Sequence, residues 1–274
     1  MEKIRRKSEE KTKVSIIIPA YNEEKRIGLT LEIYGSFFNK LLREKKLDYE
    51  LLIVINNTKD KTEDIVKKFQ KKNKKIKYLN LKEGGKGFAI TRGFKEALKD
   101  KKNSLIGFVD ADSSTSPESF YDLIEKINGF DGIIASRWIR GSIIKTKQSF
   151  LRRFLSRGFN FLVRSLFFMN YDDTQCGAKI FRKEAIQKII GEMSITKWAF
   201  DINLLYLLKS KGLKIIESPT IWEDKGNTKL DVIKVPFEMF SGVVRLRLIY
   251  SPFNFVIRLY DGLPEKLKIH HKIK

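Results

Sequence analysis

The chain has 274 residues, of which 42% are hydrophobic, and its 55 Lys and Arg against 33 Asp and Glu give a formal net charge of +22. This length suits one large α/β domain or two small ones, and the basic excess predicts an anionic partner, either phosphate groups or a lipid surface. The two histidines, His270 and His271, stand together near the C-terminus. This excludes histidine-based triads and most zinc sites, and leaves carboxylates and hard cations such as Mg²⁺ or Mn²⁺.

The cysteine content and the N-terminus bear on the compartment. Cys176 has no second cysteine to pair with, which fits a reducing environment. Residues 1–13 are charged throughout and lack an apolar h-region, so they predict a charged tail and no signal peptide. The longest stretch without a charge, 248–257, has ten residues, fewer than the ~20 that a membrane span needs. We expect a cytoplasmic protein with no transmembrane segment and only peripheral contact with a membrane.

The first half of the chain alternates apolar runs with amphipathic segments. Continuous apolar runs predict buried strands at 14–19, 49–55, 76–81 and 104–110. Helical spacing with many Lys and Glu predicts helices near 26–44, 60–72, 86–99 and 117–128. This alternation predicts an α/β fold with a Rossmann-like, mostly parallel sheet, helices on both faces, and ligand-binding loops at the carboxyl ends of the strands.

The second half is less regular. It predicts strands at 132–137 and 178–182, a basic amphipathic helix at 147–168, a helix over 199–211, and a pair of strands around 214–222. The basic, aromatic-rich end predicts further amphipathic helices. We expect a tail at 1–13, one main domain at 14–230 and a helical extension at 231–274.

Polar motifs follow the predicted strands in a fixed order. They are PAYNEE (19–24), NNTKDKT (56–62), GGKGFAITRG (84–93), DAD (110–112), ASR (135–137), DTQCGAKIF (173–181), KWAFD (197–201) and IWEDKGNTK (221–229). Carboxylates and glycines at strand ends, in a basic chain without histidine in this region, indicate binding of a nucleotide-linked phosphate through a divalent cation.

Together, these motifs resemble the inverting family 2 glycosyltransferases of the GT-A fold, and among them the dolichyl-phosphate (polyprenyl-phosphate) glucose and mannose synthases. The resemblance runs from Val14 to about Lys229. It implies transfer of a hexose, glucose favoured over mannose, from a nucleotide sugar, UDP favoured over GDP, to a polyprenyl phosphate at the cytosolic membrane face. A soluble enzyme acting on a carbohydrate hydroxyl is an alternative. The charge alone would fit a nucleic-acid-binding protein, but no reader motif is present, so no nucleic-acid partner is expected.

The first two loops are expected to hold the nucleotide. The resemblance implies that Pro19, Tyr21 and Glu23 or Glu24 line the base and ribose, although Asn22 would also fit as the N-cap of a helix. In the next loop, Ile55 and Asn56 stand where the family usually has two aspartates. An amide offers one acceptor and one donor end, as uracil does, and Asn56 therefore favours UDP.

The glycine loop and the DAD motif are expected to bind the diphosphate and the metal. Glycines at 84, 85 and 87 allow close backbone approach, Gly87 being assigned to the donor site, and Lys86 is suited to neutralising phosphate. The resemblance assigns Asp112 to the metal, Asp110 to the metal or ribose, and Ala111 to the same donor site. Two neighbouring residues, Ser116 and Pro117, suffice to start the next helix, which leaves both aspartates available. Ser114 would be a weaker third ligand.

The remaining motifs are expected on the acceptor side. The resemblance places Arg137 near the diphosphate or acceptor phosphate, and Asp173 beside the reacting oxygen, either to orient a phosphate or to act as a base on a hydroxyl. With Asp112 they form the predicted catalytic set. Gln175 and Trp198 would contact the acceptor, although Trp198 would fit equally well as a core residue, and Lys229 would close over the donor. Cys176 is expected to be a packed thiol without a nucleophilic role.

The basic amphipathic segment 147–168 has two interpretations. If exposed, it is an interfacial helix whose arginines, including Arg152 and Arg153, attract anionic lipid and the acceptor phosphate. If buried, it is a core helix with a basic outer face. The net charge favours the membrane interpretation, with 237–260 as a second contact.

Overall fold

The computed structural model describes residues 12–146, 150–193, 199–225 and 234–262. Within these ranges, the side chains of residues 150–152, 154 and 234–237 are not described. The predictions for Trp198, Lys229 and the Arg152 side chain lie outside the described part of the chain.

The described strands are β1 (Lys13–Ala20), β2 (Asp48–Asn56), β3 (Ile76–Leu81), β4 (Leu105–Val109), β5 (Gly132–Ser136), β6 (Ile143–Ile144), β7 (Ala178–Arg182), β8 (Ile215–Pro219) and β9 (Ile221–Trp222). The described helices are α1 (Ile27–Arg43), α2 (Thr62–Lys72), α3 (Lys86–Lys99), α4 (Pro117–Glu125), α5 (Phe150–Phe167), α6 (Lys183–Ile189), α7 (Phe200–Ser210), α8 (Lys234–Ile249) and α9 (Asn254–Gly262).

The central sheet has the order β3-β2-β1-β4-β7-β5-β8. Its pairs are parallel except at β7, which runs antiparallel to both β4 and β5. Apolar side chains pack on both faces: one core layer includes Leu31 of α1 and Phe120 of α4, and the other includes Ile90 of α3 and Leu204 of α7. The predicted α/β architecture, a mostly parallel sheet with helices on both faces, is confirmed.

Several local predictions were wrong for physical reasons. β3 lies at the sheet edge, so only Ile76 is buried and Lys77 and Asn80 are exposed, instead of the whole strand being buried. β8 and β9 do not pair with each other: β8 joins β5, whereas β9 pairs with β6 in a separate two-stranded sheet. The helix α6 was not predicted. No helix in the described residues is long and apolar enough to cross a bilayer.

The entry to α1 also differs from the sequence-based expectation. α1 begins at Ile27, after Arg26, and has no acidic residue in its first turn, so Asn22 is not its N-cap. Asn22 instead adopts a left-handed conformation with φ 52°. Asparagine tolerates this region better than most residues because its side chain bonds locally. The Asn22 side-chain oxygen accepts a hydrogen bond from the Lys59 N–H (2.9 Å), which ties the loop after β1 to the loop after β2.

Candidate active site

A cleft of about 600 Å³ opens at the carboxyl ends of β1, β2 and β4, beside the start of α3. It is lined by Pro19, Tyr21, Glu23, Arg26, Asn56, Asn57, Gly84, Gly85, Lys86, Asp110, Ala111 and Asp112. Of the residues predicted for the nucleotide sugar that the structure describes, all line the cleft except Gly87. Residues separated by more than 90 positions in sequence meet here because parallel strands end at one edge of the sheet.

The first two loops hold each other in place. Backbone N–H groups of Glu23 and Glu24 donate to Thr62 Oγ1 (2.8 Å) and Asp60 Oδ2 (3.0 Å). The other oxygen of Asp60 accepts from the backbone N–H of Thr62 (3.0 Å) and so supports the start of α2. Asp60 and Thr62 therefore connect the two loops in addition to supporting the start of α2.

The mouth of the cleft carries an aromatic ring and an ion pair. Tyr21 is 53% exposed and offers its ring as a surface on which a planar base can stack. Glu23 accepts two hydrogen bonds from Arg26, from Nε (2.6 Å) and Nη2 (2.8 Å). Burial raises the pKa of Glu23 above its ordinary value, although Arg26 opposes the shift. The hydrogen bonds from Arg26, three residues further along the chain, therefore hold the Glu23 carboxylate in place.

Asn56 is 2% exposed, and backbone groups use both ends of its amide. In the orientation that satisfies its neighbours, the amide nitrogen donates to the Ala20 carbonyl (2.9 Å) and the oxygen accepts from the Gly85 N–H (3.0 Å). Asn56 thus links three strand-end loops, and the argument from its amide to uracil loses its support. The sequence analysis did not single out Asn57, which is exposed on the cleft wall with φ 49°.

The glycine loop delivers Lys86 to the cleft at the first residue of α3. Gly85 has φ 122°, a conformation that side chains other than glycine rarely adopt. Gly87 does not line the cleft: a Cβ at this position would lie 2.6 Å from the Cβ of Phe200, so the missing side chain lets α3 and α7 approach closely. The N–H groups at the start of a helix lack intrahelical partners and favour anions, so the start of α3 is suited to phosphate.

The DAD loop follows β4 and is separated from the next helix as predicted. Ser116 accepts a hydrogen bond from the Ser119 N–H (3.2 Å), and Pro117 is the first residue of α4, so the predicted helix start is confirmed. Asp112 lies half-buried on the cleft wall, where its Oδ1 accepts from the Ser114 N–H (2.9 Å). Ser114 itself is 7% exposed and is not among the residues that line the cleft.

Asp110 is held from two sides. Its Oδ1 lies 2.5 Å from Lys86 Nζ, and its backbone N–H donates to the Gly177 carbonyl (3.1 Å). A Cβ at Gly177 would lie 1.9 Å from Asp110 Oδ2, so only glycine fits there. Burial raises the pKa of Asp110, Lys86 opposes the shift and Asp112 adds to it. Sequence analysis quoted Gly177 in a motif without giving it this role.

The residues present fit a divalent cation. Within the described residues, no group of three or more His, Cys, Asp or Glu side chains gathers to hold a metal. One or two carboxylates together with substrate phosphates are, however, the usual ligands of Mg²⁺. Asp112 supplies a carboxylate on the cleft wall, and Asp110 supplies a second one next to it along the chain. A nucleoside diphosphate in the cleft would complete such a ligand set.

Arg137 and Asp173 form a closed pair outside the residues that line the cleft. Asp173 accepts from Arg137 Nε (2.7 Å), Nη2 (2.9 Å) and the backbone N–H (3.0 Å), and also from the Gln175 N–H (3.3 Å). Asp173 is 3% exposed. Burial lowers the pKa of Arg137, but the Asp173 carboxylate outweighs it and raises this pKa above its ordinary value. Both Asp173 oxygens are engaged, which differs from the expected position beside a reacting oxygen.

Two indole rings flank the Arg137 guanidinium, 5.3 Å from the ring centroid of Trp222 and 5.9 Å from that of Trp138. Arg157 of α5 stands 5.7 Å from the same Trp138 ring. Trp222 also pairs with Thr115 across an isolated bridge. Through Trp222, strand β9 therefore contacts both the loop that carries Asp112 and the guanidinium of Arg137. Trp138 follows the ASR motif directly but was not predicted.

The loop that carries Asp173 is anchored by a residue that sequence analysis missed. The carboxylate of Glu217, on β8, accepts hydrogen bonds from the backbone N–H groups of Asp172 (2.7 Å) and Asp173 (2.9 Å). The signal was an acidic residue inside an otherwise apolar strand. Gln175 is half-buried two residues further on, and Cys176 is 1% exposed. Burial raises the pKa of Cys176 to about 12, in keeping with a packed thiol.

A second buried ion pair lies beneath the cleft. Lys179 of β7 is fully buried, and its Nζ donates to Asp201 Oδ1 (2.6 Å) and to the Cys176 carbonyl (2.6 Å). Asp201 lies in the first turn of α7, where a negative charge is favourable. A lysine in the middle of an apolar strand was the available signal. In α5, Arg153 is exposed whereas Val163 and Phe167 are buried in the core, so one face of the helix belongs to the core and contact of the other face with a membrane stays a prediction.

Comparison with known proteins agrees with this geometry. Residues 15–190 match the family described as Glycosyl transferase family 2. A dolichyl-phosphate beta-glucosyltransferase from Dictyostelium discoideum is 33% identical over 86% of this chain and 74% of the relative. The enzyme of the same name from Homo sapiens is 30% identical over 86% of this chain and 75% of the relative.

Solved structures are similar in fold at lower identity. Glucosyl-3-phosphoglycerate synthase from Mycobacterium tuberculosis, in complex with Mn²⁺, UDP and phosphoglyceric acid, superposes with a TM-score of 0.63 at 16% identity, covering 86% of this chain and 78% of that one. Mannosyl-3-phosphoglycerate synthase from Rubrobacter xylanophilus gives a TM-score of 0.61 at 15% identity, covering 93% and 79%. The GT-A fold is thereby confirmed, and the chain belongs to glycosyl transferase family 2 and is a glycosyltransferase.

Proposed function

We propose that this protein transfers glucose from UDP-glucose to the phosphate of a dolichol or other polyprenol, with Mg²⁺ or Mn²⁺, at the cytosolic surface of a membrane. The observation that carries the proposal is the cleft, in which Tyr21, Lys86, Asp110 and Asp112 meet from three strand-end loops. The relatives named dolichyl-phosphate beta-glucosyltransferase support the sugar and the acceptor. UDP is supported by the bound UDP of the structural neighbours, since the Asn56 amide no longer argues for it.

In the donor site, each side chain has a task that its position allows. Tyr21 stacks on the base at the mouth of the cleft, while Lys86 and the start of α3 face the diphosphate. Asp112 and Asp110 would hold the metal, which stabilises negative charge on the departing diphosphate. Lys86 adds a positive charge to the same leaving group. These groups lower the cost of breaking the bond between glucose and phosphate.

The acceptor side suits a nucleophile that needs no base. A polyprenyl phosphate oxygen is anionic near neutral pH and attacks the anomeric carbon without losing a proton. Asp173 would be a poor base because Arg137 engages both its oxygens. We assign Asp173 to positioning Arg137, whose guanidinium then faces the acceptor phosphate or the leaving group. Trp222 supports that guanidinium from the other side.

Three adjoining helices would contact the membrane. α8 packs against both α5 and α9. Large apolar side chains remain exposed on these helices or directly beside their ends: Phe161, Phe168, Phe253, Phe255 and Leu259. Arg153 and Arg157 of α5 are exposed as well. Exposed aromatic residues beside arginines are typical of helices that lie in the interface of an anionic membrane.

The proposal is tested with a donor panel. Purified protein is incubated with radiolabelled UDP-glucose, GDP-mannose or UDP-N-acetylglucosamine, Mn²⁺, and a short polyprenyl phosphate in detergent. We expect label in the lipid fraction with UDP-glucose, and none when the metal is chelated. Transfer to a carbohydrate hydroxyl but to no lipid phosphate would replace the proposed acceptor with the soluble alternative.

The membrane part is tested separately. Flotation with vesicles of phosphatidylserine and phosphatidylcholine should carry the protein upward, whereas pure phosphatidylcholine vesicles should not. The variant Phe253→Ser/Phe255→Ser should reduce flotation without changing transfer to a detergent-solubilised acceptor. Equal flotation of both proteins would contradict the role of α9.

A further inference from the structure

Lys86 and Asp110 form an ion pair, although the proposed function gives them different ligands. Lys86 is suited to the diphosphate, whereas Asp110 is suited to the metal, yet Lys86 Nζ lies 2.5 Å from Asp110 Oδ1. An ammonium group therefore occupies one oxygen of a carboxylate that the cation would need. The neighbouring carboxylate of Asp112 accepts from the Ser114 N–H and, among the described residues, has no comparable lysine partner.

This pair is more exposed than the buried ion pairs around the site. Its side chains are 41% and 36% exposed and face the cleft. The pair of Lys179 with Asp201 is 0% and 12% exposed. Exposed ion pairs exchange partners at little cost, because water and incoming ions can replace each contact. The pair of Lys86 with Asp110 can therefore be opened by a ligand that enters the cleft.

The ammonium group of Lys86 can move while its backbone stays in place. Lys86 is the first residue of α3, and Gly87 after it packs against Phe200, which anchors the backbone at Lys86. The four-carbon stem remains flexible and carries a compact charge. Lys86 can thus leave Asp110 for a phosphate oxygen without any rearrangement of α3.

Electrostatic attraction favours the pair of Lys86 with Asp110 when the cleft holds no ligand. Asp110 and Asp112 flank a single residue, so their negative charges repel each other. Lys86 offsets this repulsion as a bound cation would. Asp201 adds a further negative charge that acts on Lys86 from beneath. The Lys86 ammonium group therefore occupies an oxygen of Asp110 that a metal ion would otherwise bind.

We propose that the Lys86 ammonium group blocks binding of a divalent cation to Asp110 until a nucleoside diphosphate binds in the cleft. Without nucleotide, a divalent cation must displace Lys86 and therefore binds weakly. A diphosphate draws Lys86 away, frees Asp110 and supplies further oxygen ligands, so nucleotide and metal bind with positive coupling. This inference rests on the proposed function, since it takes the diphosphate as the ligand that opens the pair.

The test measures binding of Mn²⁺ to the protein alone, by the loss of the free Mn²⁺ electron paramagnetic resonance signal, and again with saturating UDP. We expect Lys86→Met to bind Mn²⁺ alone about tenfold more tightly than the wild type, a factor within the range common for coupled sites. UDP should tighten Mn²⁺ binding more in the wild type than in Lys86→Met. The reciprocal effect of Mn²⁺ on UDP affinity should show the same factor.

Three variants serve as controls. Lys82→Met removes an exposed lysine of the same loop that does not line the cleft, and it should leave Mn²⁺ affinity unchanged. Lys86→Arg retains a cation and should behave like the wild type without nucleotide. In an Asp110→Asn background, the further change Lys86→Met should no longer tighten Mn²⁺ binding. Thermal melting checks that each variant is folded.

The outcomes separate the two proposals. If Lys86→Met binds Mn²⁺ alone no more tightly than Lys82→Met does, while the wild type binds Mn²⁺ with UDP, the blocking role of Lys86 is overturned and the proposed function stands. If the wild type binds no Mn²⁺ even with UDP, and Lys86→Met binds none alone, both the blocking role of Lys86 and the metal requirement are overturned.

Discussion

The proposed donor side and the proposed acceptor side of the site differ in how their ion pairs are exposed. On the donor side, Lys86 and Asp110 are 41% and 36% exposed, and their ion pair faces an open cleft. On the acceptor side, Arg137 and Asp173 are 13% and 3% exposed and engage each other with two parallel hydrogen bonds. The difference shows which charges are available to a ligand. Lys86 and Asp110 can exchange partners, whereas the Asp173 carboxylate is fully engaged by Arg137.

The largest expected effect is on the donor side. Asp112→Asn should lower kcat/KM for UDP-glucose by roughly a thousandfold, because an amide is a weak ligand for a hard cation and several kcal/mol of charge stabilisation is lost. Steady-state kinetics with Mn²⁺ measures this. Asp122→Asn, on the exposed face of α4, is the matched control and should retain activity. Activity of Asp112→Asn within tenfold of the wild type would contradict the metal assignment.

The acceptor pair should respond in stability. Asp173→Asn should lower the free energy of unfolding by about 3 kcal/mol, because it leaves the buried Arg137 charge without its counter-charge. Urea unfolding followed by fluorescence measures the change. The exposed pair of Arg245 with Asp261 provides the control, and Asp261→Asn should cost at most about 1 kcal/mol.

A double variant separates this role from that of a base. Arg137→Met/Asp173→Leu should be more stable than Asp173→Asn alone, since no uncompensated charge remains. Equal stability of Asp173→Asn and the wild type, with complete loss of transfer, would return Asp173 to the position beside the reacting oxygen.

The junction between the two sides should show an intermediate effect. Gly177→Ala places a Cβ where Asp110 Oδ2 now lies, at 1.9 Å, so the carboxylate has to shift. A displacement of this size should reduce kcat/KM between about 10- and 100-fold. Gly191→Ala is the control, because a Cβ at Gly191 meets nothing within 4 Å. Unchanged kinetics for Gly177→Ala would mean that Asp110 need not hold its position.

The smallest effect is expected at Cys176. It is 1% exposed, and burial raises its pKa to about 12, so at pH 8 the thiol stays protonated and shielded. A chromogenic disulfide reagent should therefore leave the folded protein unlabelled during the time in which it labels the urea-unfolded chain. Rapid labelling of the folded protein would indicate that the acceptor loop opens readily.

Sequence reasoning succeeded where a pattern is local. Continuous apolar runs predicted β1, β2 and β4 and therefore the edge at which their loops meet. It also separated the cap at Ser116 from the aspartates of the DAD loop, which the hydrogen bond to Ser119 confirms. The membership in glycosyl transferase family 2 was predicted from the order of the motifs and is confirmed by the match over residues 15–190.

What sequence reasoning missed depends on contacts between distant segments. Nothing near Asn56 indicates that Ala20 and Gly85 use both ends of its amide. Likewise, the spacing of ASR and DTQCG gives no hint that Asp173 turns toward Arg137. The roles of Glu217 and Lys179 have the same origin, since polar residues inside apolar strands find partners only when the sheet is assembled.

The place of β7 has a consequence for the order in which the chain folds during synthesis. β7 lies between β4 and β5 in the sheet but follows both in the chain, so β5 has no neighbour on that side until residues 178–182 have been made. β1 to β4 pair among themselves, and of their pairings only the outer edge of β4 waits for β7. Domains generally form from the N-terminal side as the chain emerges, at about 5–20 residues per second. We expect the nucleotide-binding half to become protease-resistant on the ribosome several seconds before the rest.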